Sequence, residues 1–347
     1  MKKFGKLLLV YYHPIIFDLA QTFQNLFDVE IAVNQNLKDN YGGATDVIEK
    51  AAARGLKCCY IQQALANIRL KKYQLVGCDG VFDGDKLIMN VCENNKVPWF
   101  CINGYPHNED EPSKNILSFS WYLPQKRYRG MFPSEGHIKE LDWKDLYNNN
   151  RREKNIFVYY PEMKECKDYA WGNRNSLHIK DNNRVRYGAV SLIHRYEECN
   201  KWCYEVFKKV NEVGATKLEG FEIENDTSKS AQEVYESLIN SNVLLHSKTA
   251  DCPGVSVLEA MILGAVPVVA KNFVLASHNQ ELLINNHSAF VCDTVDEIID
   301  VCVANYKELQ NPELRISTFE HVNMLTSFRR QRAGLERFFE TCLNDRN

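Results

Sequence analysis

The sequence predicts an α/β protein built from two doubly wound parallel sheets that follow one another along the chain. Three observations lead to this prediction. The chain has 347 residues, which suggests two domains of ordinary size. Short apolar runs alternate with helical patterns through both halves, as expected for parallel βαβ units. A polar, turn-rich segment, 164–183, separates the two series and is predicted to be a linker.

In the first half, five apolar runs predict buried strands, and the segments between them predict helices. The strands are expected at 6–12, 29–33, 57–61, 73–82 and 98–104, and the helices at 17–27, 43–55, 63–72 and 85–95. The basic and apolar start resembles a signal peptide. However, His13-Pro14 and Asp18 interrupt the apolar run, so a first strand is predicted instead.

The second half repeats this alternation. Strands are expected at 184–193, 216–221, 242–247, 265–270 and 288–292, and helices at 200–214, 231–241, 255–264, 279–285 and 295–309. The final amphipathic segment, 319–344, is long enough to leave the second domain and pack on the first. The predicted domains are therefore 1–165 and 166–330, with 331–347 as the returning helix.

Composition is that of an ordinary globular protein. Hydrophobic residues make up 45% of the chain and charged residues 25%. The formal net charge of −3 provides no overall attraction to nucleic acid, and no apolar run is long enough for a transmembrane segment. The 12 cysteines are scattered without the paired spacing of a zinc site. They are predicted to be reduced thiols in a cytoplasmic protein.

The stretch "ADCPGVSVLEAM" (250–261) has the layout of a ligand site. In doubly wound sheets, ligands bind at the carboxyl ends of strands, where the N-termini of helices offer backbone N–H groups. Here a buried strand leads through a loop into a helix, and the N–H groups of Gly254, Val255 and Ser256 are predicted to face an anion. Glu259 lies one turn along the same helical face and suits ribose or sugar hydroxyls. Asp251, before the turn, is expected to contact another part of the same ligand.

Two cations are expected at the same sheet edge. Arg195 and Lys201 follow the first strand of the second domain. An arginine can bind phosphate oxygens through two parallel hydrogen bonds, and a lysine adds a point charge. The residues therefore indicate a ligand that carries both phosphate and hydroxyl groups.

These motifs resemble those of a known family. The spacing Asp251-x7-Glu259, followed by "AMILGAVPVVA", resembles the E-x7-E motif of retaining GT-B glycosyltransferases of family 4. Four further segments resemble family motifs in the same order: "GAVSLIHRYEECNKW", "TKLEGFEIEND", "INSNVLLHSK" and "ELLINNHSAFVCD". The resemblance is specific over residues 184–310, and over the first half only the strand order supports it.

The resemblance implies two Rossmann-like domains that face each other across a cleft, and a nucleotide-diphosphate sugar as donor. It implies that Arg195 and Lys201 neutralise the diphosphate, that Asp251 contacts the transferred sugar and that Glu259 binds the ribose. The backbone at Gly254–Ser256 is implied to hold sugar and phosphate oxygens. Enzymes of this fold usually need no bound metal, so no metal or permanent cofactor is expected.

The sequence also departs from the family pattern. Asp251 is one methylene shorter than the usual Glu, and the spacing from Arg195 to Lys201 is one residue longer than usual. The Gly-rich turn after the first strand is replaced by "YYHPIIF". His107 is the nearest counterpart of the family's histidine, with His13 as the second choice.

Two other segments have compositions that are typical of binding sites. The "DGD" at Asp83–Asp85 resembles a metal-binding D-x-D, but a turn before a helix favours Asp and Gly without any metal. The segment 120–132 interleaves aromatic residues with Lys126, Arg127 and Arg129, which suits stacking and phosphate contacts. A cleft for an acceptor sugar or an ordinary surface loop has a similar composition.

The favoured function is retaining transfer of a glycosyl group to a hydroxyl acceptor, either a saccharide or another glycan precursor. One alternative is a phage-type transferase whose acceptor is a hydroxymethylated base in double-stranded DNA. A second is a nucleotide-sugar epimerase, which turns over the donor without an acceptor. A third is a GT-B-like binding protein without catalytic activity.

Overall fold

A computed structural model of the chain describes residues 4–39, 42–78, 85–102, 126–132, 157, 159–173, 184–187, 197–219, 221–225, 230–246, 254–276, 280–305 and 311–344. The chain divides into two compact units, one of residues 1–162 with 328–347 and the other of residues 163–327. Each unit contains a parallel sheet and helices, so the predicted α/β class is confirmed. No helix in the described ranges is long and apolar enough to cross a membrane.

The elements are numbered in chain order. Those of residues 4–132 are β1 (Lys6–Val10), α1 (Ile15–Phe23), β2 (Asp28–Val33), β3 (Lys38–Asp39), β4 (Gly42–Gly43), α2 (Ala44–Ala53), β5 (Lys57–Tyr60), α3 (Ile61–Arg69), β6 (Leu75–Cys78), α4 (Asp85–Asn95), β7 (Trp99–Ile102) and β8 (Tyr128–Phe132). Those of residues 164–344 are α5 (Lys164–Gly172), β9 (Arg184–Tyr187), α6 (Glu197–Lys217), β10 (Glu222–Asn225), α7 (Ala231–Ile239), β11 (Val243–His246), α8 (Val255–Ile262), β12 (Val266–Ala270), α9 (Lys271–Ala276), β13 (Phe290–Cys292), α10 (Val295–Ile299), a π-helical turn (Asp300–Ala304), α11 (Pro312–Leu325) and α12 (Phe328–Asn344).

The first unit has a six-stranded sheet in the order β5-β2-β1-β6-β7-β8, and every pairing is parallel. Leu7 and Leu9 pack on one face with α1, α2 and α12, whereas Leu8 and Val10 pack on the other face with α3 and α4. Both faces of β1 are thus covered, which is why this strand is a continuous apolar run.

The last helix of the chain, α12, completes the core of the first unit. The Phe339 ring lies edge-on to Phe23 and Phe27, with centroid distances of 5.1 Å and 4.9 Å. The Gln331 amide donates to the carbonyl of Tyr160 at 2.9 Å and accepts from its N–H at 3.0 Å. These contacts tie α12 to a segment about 170 residues earlier in the chain.

The second unit has a five-stranded parallel sheet in the order β10-β9-β11-β12-β13. From β9 the chain moves outward to β10 and then returns to the other side of β9 to form β11. This reversal between β9 and β11 is the topological switch point of the sheet. Helix α8 follows β11 and packs against α5, α7 and α11.

Three predicted elements of the second half are wrong. The strand predicted at 216–221 is wrong because α6 continues to Lys217, where the Thr216 hydroxyl donates to the carbonyl of Glu212, and β10 begins only at Glu222. The helix predicted at 279–285 is wrong in its described part, 280–285, which forms turns. There the Ser288 hydroxyl bonds to the backbone of Leu282 and Ile284 and competes with helix formation.

The single helix predicted at 319–344 is two helices, α11 and α12, which meet at Thr326–Ser327. The Lys167 ammonium donates to the Thr326 carbonyl at 3.4 Å, at the end of α11.

Among the elements that the sequence analysis missed are α5 and β8, besides the short β3, β4 and α9. The first part of the predicted linker is helix α5, with Cys166 and Ala170 buried on its inner side. The segment predicted as a surface loop or ligand patch contains strand β8, which extends the first sheet beyond β7. In both cases packing against a neighbouring element outweighs a polar local composition.

The packing of α12 can be tested at Gly334. A methyl group at this position would overlap the ring of Phe157, so we expect Gly334→Ala to lower the free energy of unfolding by about 1–3 kcal/mol, the usual cost of overpacking. The matched control is Gly172→Ala in α5, where no atom lies within 4 Å of the added carbon. Urea unfolding of the two variants measures the difference, and equal stabilities would show that the Phe157 ring can move aside.

Candidate functional site

The switch point of the second sheet lies where β9 and β11 end side by side. The two strands pair in parallel, with Val243 opposite Val185 and Leu245 opposite Tyr187. Loops that follow such neighbouring strands diverge to opposite sides, and the crevice between them is the usual ligand position in open α/β sheets. Helix α8, the next described element after β11, begins at Val255.

Gly254 sets the start of α8. Its φ of 68° and ψ of 89° lie in the left-handed region, which L side chains rarely adopt. Its carbonyl accepts the N–H groups of Val257 (2.9 Å) and Leu258 (3.2 Å), which closes the first turn. The backbone N–H groups of Val255 and Ser256 are in the first turn, where an α-helix provides no acceptor of its own.

The face of α8 that carries Glu259 is partly exposed. Val255, Ser256 and Glu259 are half-buried, whereas the intervening Val257 and Leu258 are completely buried. Positions three and four apart lie on one helical face. The half-buried stripe thus combines two first-turn N–H groups with a carboxylate one turn further along.

Side chains of two other helices donate hydrogen bonds to the backbone of α8 and of the turn that follows it. The Cys166 thiol of α5 donates to the carbonyl of Glu259 at 3.8 Å. At the other end, Nε of Arg315 in α11 donates to the carbonyl of Gly264 at 2.9 Å, and Arg315 is only 5% exposed. A cation at the C-terminus of a helix also interacts favourably with the helix dipole.

Neither of these two hydrogen bonds was predicted from the sequence. The start of α11, however, has a recognisable sequence pattern. Asn311 precedes Pro312, and the Asn311 side chain accepts the N–H of Glu313 at 3.0 Å. Asn as a cap with Pro at the first position is a typical helix start.

His246, the last residue of β11, was also missed. It is completely buried, and its ring centroid lies 4.4 Å from that of Phe273 in α9. A methyl group on Gly254 would lie 3.6 Å from the Phe273 ring and 3.3 Å from Val257. The Phe273 ring therefore packs between the end of β11 and the start of α8.

An ion pair joins the ends of two neighbouring strands at the same sheet edge. Lys271 Nζ lies 2.9 Å from the Asp293 carboxylate, just after β12 and β13. The hydrogen bond from Lys271 to Asp293 raises the pKa of the lysine. Both side chains are more than half exposed, so the pair contributes little to stability.

Four of the sequence-predicted site residues are brought together at the start of α8: Gly254, Val255, Ser256 and Glu259. Arg195, Asp251 and His107 lie outside the described residues. Lys201 belongs to α6, and the structure describes its backbone but not its side chain.

The second-choice histidine, His13, and the D-x-D segment, Asp83–Asp85, belong to the first unit. Nδ1 of His13 accepts the N–H of Ile15 at 3.2 Å, before the first turn of α1. Asp83 lies outside the described residues, and Asp85 is the buried first residue of α4. Among the described residues, no group of three or more His, Cys, Asp or Glu side chains could hold a metal ion.

In the described part of the basic and aromatic segment, 126–132, Lys126 is exposed and Arg127 half-buried, whereas Tyr128 and Arg129 are buried. Tyr128 is 1% exposed, and its ring packs 5.1 Å from that of Trp99. Arg129 is 3% exposed, and its guanidinium donates to the carbonyls of Lys126 (2.9 Å) and Tyr128 (3.0 Å). The interpretation of Tyr128 and Arg129 as ligand contacts is therefore wrong, because strand pairing places both side chains inside the first unit.

The hydrogen bond from Arg315 to the Gly264 carbonyl, just after α8, can be tested by Arg315→Met. This change keeps a long apolar chain but removes the donor. Loss of a hydrogen bond from a charged group is expected to lower the free energy of unfolding by about 1.5–3 kcal/mol. Arg332→Met is the control, because Arg332 is exposed and pairs only with Glu336 four residues away, a pair worth about 0.3–0.5 kcal/mol. If urea unfolding shows that both variants lose the same free energy of unfolding, the hydrogen bond from Arg315 does not stabilise the end of α8.

No model of a protein family matches the sequence, and no curated protein matches it. Solved structures do match along nearly the whole chain. HepE (Alr3699) of Anabaena, in complex with UDP-glucose, has a TM-score of 0.64 at 12% identity over 97% of this chain and 98% of HepE. A TarM variant of S. aureus, in complex with fondaparinux, α-GlcNAc-glycerol and UDP, has a TM-score of 0.63 at 10% identity over 99% of this chain and 100% of TarM.

A third similar structure is the UDP-GlcNAc 2-epimerase of Neisseria meningitidis bound to UDP-GlcNAc. Its TM-score is 0.58 at 11% identity, over 97% of this chain and 100% of the epimerase. At such identities the likeness concerns the fold. The chain has the α/β fold of GT-B glycosyltransferases, with a parallel sheet in each of its two units.

Proposed function

We propose that the protein is a retaining glycosyltransferase that moves a sugar from a nucleoside diphosphate sugar to a hydroxyl group of an acceptor. The observation that carries this proposal is the start of α8. A left-handed glycine beyond the switch point presents two first-turn N–H groups beside a half-buried carboxylate. Structures with this fold were solved with UDP-glucose and UDP, which makes a uridine diphosphate sugar the first donor to test.

The ligand chemistry matches this arrangement. Backbone N–H groups at a helix N-terminus bind anionic oxygens, and a carboxylate accepts hydrogen bonds from two neighbouring hydroxyls. In the proposed complex, the N–H groups of Gly254–Ser256 bind phosphate and sugar oxygens, and Glu259 accepts from the ribose hydroxyls. Asp251, which precedes the turn, accepts from hydroxyls of the transferred sugar.

The rate enhancement is proposed to be electrostatic. When the bond between the sugar and the diphosphate breaks, negative charge grows on the leaving diphosphate oxygen. Arg195, Lys201 and the N-terminus of α8 stabilise that charge in the transition state more than in the ground state. The acceptor hydroxyl attacks from the face that the diphosphate leaves and gives its proton to the leaving diphosphate oxygen, which retains the configuration. His107 is proposed near the acceptor hydroxyl, and no resident metal is part of the proposal.

A second candidate is a nucleotide-sugar epimerase, which the structural similarity to the Neisseria epimerase favours. The two activities are distinguished by the product. An epimerase converts UDP-GlcNAc without any acceptor and forms an isomeric UDP-sugar, whereas a transferase releases UDP and consumes the acceptor. A DNA acceptor has less support from the basic segment, because Tyr128 and Arg129 are buried and only Lys126 of its described cations is exposed.

The ribose assignment is tested by Glu259→Ala. We expect this change to weaken UDP binding by about 1–3 kcal/mol, the cost of leaving polar groups without their partner. Glu320→Ala removes an exposed carboxylate from α11 and serves as the control. Isothermal titration with UDP measures both, after thermal unfolding has shown that both variants fold. Equal affinities for the two variants would remove Glu259 from the donor site.

The diphosphate assignment is tested by Arg195→Ala and Lys201→Ala. Each is expected to lower turnover of the donor about tenfold or more, because each cation stabilises charge that grows in the transition state. Lys208→Ala is the control within α6, since Lys208 is exposed and lies 3.8 Å from Glu212. Release of UDP from UDP-glucose is the measured quantity. Parental rates in both site variants would mean that the diphosphate binds elsewhere.

A further inference from the structure

The amino edge of the first sheet, where its parallel strands begin, carries a group of cations that the proposed donor site does not use. The strand register places the starts of β6, β7 and β8 side by side, because Val76 lies opposite Trp99 and Trp99 opposite Tyr128. Helices α3 and α4 pack against each other and end at this same edge. Five exposed cations lie in or just before the turns that lead into the three strands: Arg69, Lys71, Lys72, Lys96 and Lys126. We call these five residues the basic edge.

The charges of the basic edge are not neutralised by the described part of the chain. None of the five cations forms an ion pair with a described residue. The carboxylates on β2 and at the end of α4 already have partners. Asp28 lies between Lys6 and Lys57, with N–O distances of 4.0 Å and 2.9 Å. Glu30 and Glu93 are half-buried and accept hydrogen bonds from neighbouring side chains. The edge therefore presents positive charge to the solvent.

Two of these lysines occupy a backbone conformation that favours glycine. Lys71 (φ 53°) and Lys96 (φ 59°) follow the ends of α3 and α4 in the left-handed region. Helix α2 ends in a turn with the same hydrogen bonds, and there the left-handed residue is Gly55 (φ 70°). A lysine is less stable than a glycine at such a position. Formation of the turns therefore does not require lysine, and the cost of the conformation points to a use for the charge.

An exposed leucine lies within the basic edge. Leu70 is 67% exposed, more than any other described leucine, isoleucine or methionine, and it has Arg69 before it and two lysines after it. The aromatic side chains at the neighbouring strand starts, Tyr73, Trp99 and Tyr128, are at most 3% exposed. The edge thus combines positive charges with an aliphatic side chain, and these three rings are not available to stack on nucleic-acid bases.

We propose that the basic edge docks the protein on an anionic membrane surface, with Leu70 inserted among the lipid headgroups. Cations close to an anionic leaflet each strengthen binding, and a buried apolar side chain adds a contribution that salt does not screen. A nucleic acid would use the charges but would gain nothing from an aliphatic side chain. The inference concerns the first unit by itself and does not depend on the proposed glycosyltransferase function.

The test is sedimentation of the full-length chain with vesicles of phosphatidylcholine, or of phosphatidylcholine and phosphatidylserine in a two-to-one mixture. We expect binding to the mixed vesicles only, and weaker binding as salt is raised. Lys71→Gly combined with Lys96→Gly is expected to weaken this binding about 25-fold, or about fivefold for each cation lost. Because glycine is favoured at both positions, this double variant is expected to unfold at the same urea concentration as the parent or at a higher one.

Two matched controls accompany these variants. Lys208→Ala combined with Lys209→Ala removes the same charge from exposed positions of α6 and is expected to bind as the parent does. Leu70→Ala is expected to weaken binding about fivefold, because less apolar surface is buried in the membrane. Leu87→Ala is its control, since Leu87 is 52% exposed at the start of α4, at the opposite edge of the same unit.

Equal binding to both kinds of vesicle, or no binding to the mixed vesicles, would overturn the inference. So would unchanged binding in the variant that lacks Lys71 and Lys96, which would limit both lysines to a role at the helix ends. A DNA duplex or an RNA that is bound more tightly than the mixed vesicles, through the two lysines but not through Leu70, would also overturn it. The thermal shift with UDP is measured in parallel and is expected to be the same in every variant. Its absence in the parent would contradict the donor proposal alone.

Discussion

The geometry of the proposed donor site depends on two glycines in the left-handed region, because they set where helix α8 begins and ends. Gly254 has a φ of 68° and Gly264 a φ of 72°. Other residues adopt this conformation only at a cost, so the helix is confined to the eight residues between its ends. Its inner side, including Val257 and Leu258, is completely buried. If α8 were rotated by one residue, Glu259 would turn toward the core, where an unpaired carboxylate is strongly disfavoured.

Two buried polar side chains from consecutive helices stabilise different units of the chain. Arg315 of α11 bonds to the end of α8, and Gln331 of α12 bonds to Tyr160 of the first unit. Each interaction satisfies a main-chain carbonyl. A buried carbonyl that is left without a donor costs more than the hydrogen bond itself contributes. The break between α11 and α12 at Thr326 allows one amphipathic stretch to serve two cores.

The elements that were predicted correctly are those in which apolar residues form a continuous run or recur with the period of a helix. Strands β1, β2 and β12 and helix α4 are continuous apolar runs or periodic segments, and the structure places them within a few residues of the prediction. The failures occur where a distant contact outweighs local composition. Helix α6 runs past Gly214 to Lys217, and the absence of a side chain at Gly214 leaves room for the ring of Phe221. Polar α5 is a helix because its inner side packs on α7 and α8.

The same contrast applies to residues at the carboxyl edges of the two sheets, each taken by itself. Gly254, Ser256 and Glu259 lie within six residues, so their spacing on one helix turn could be read directly from the sequence. Residues 12, 34 and 60, at the ends of three strands of the first sheet, are neighbours only through the pairing of β1 with β2 and of β2 with β5. Composition alone drew attention instead to residues 126–132, where charge and aromatic content are high, although strand pairing buries Tyr128 and Arg129. In a parallel sheet, a binding surface at the carboxyl edge is assembled by register, so its side chains cannot be recognised before the strand order is known.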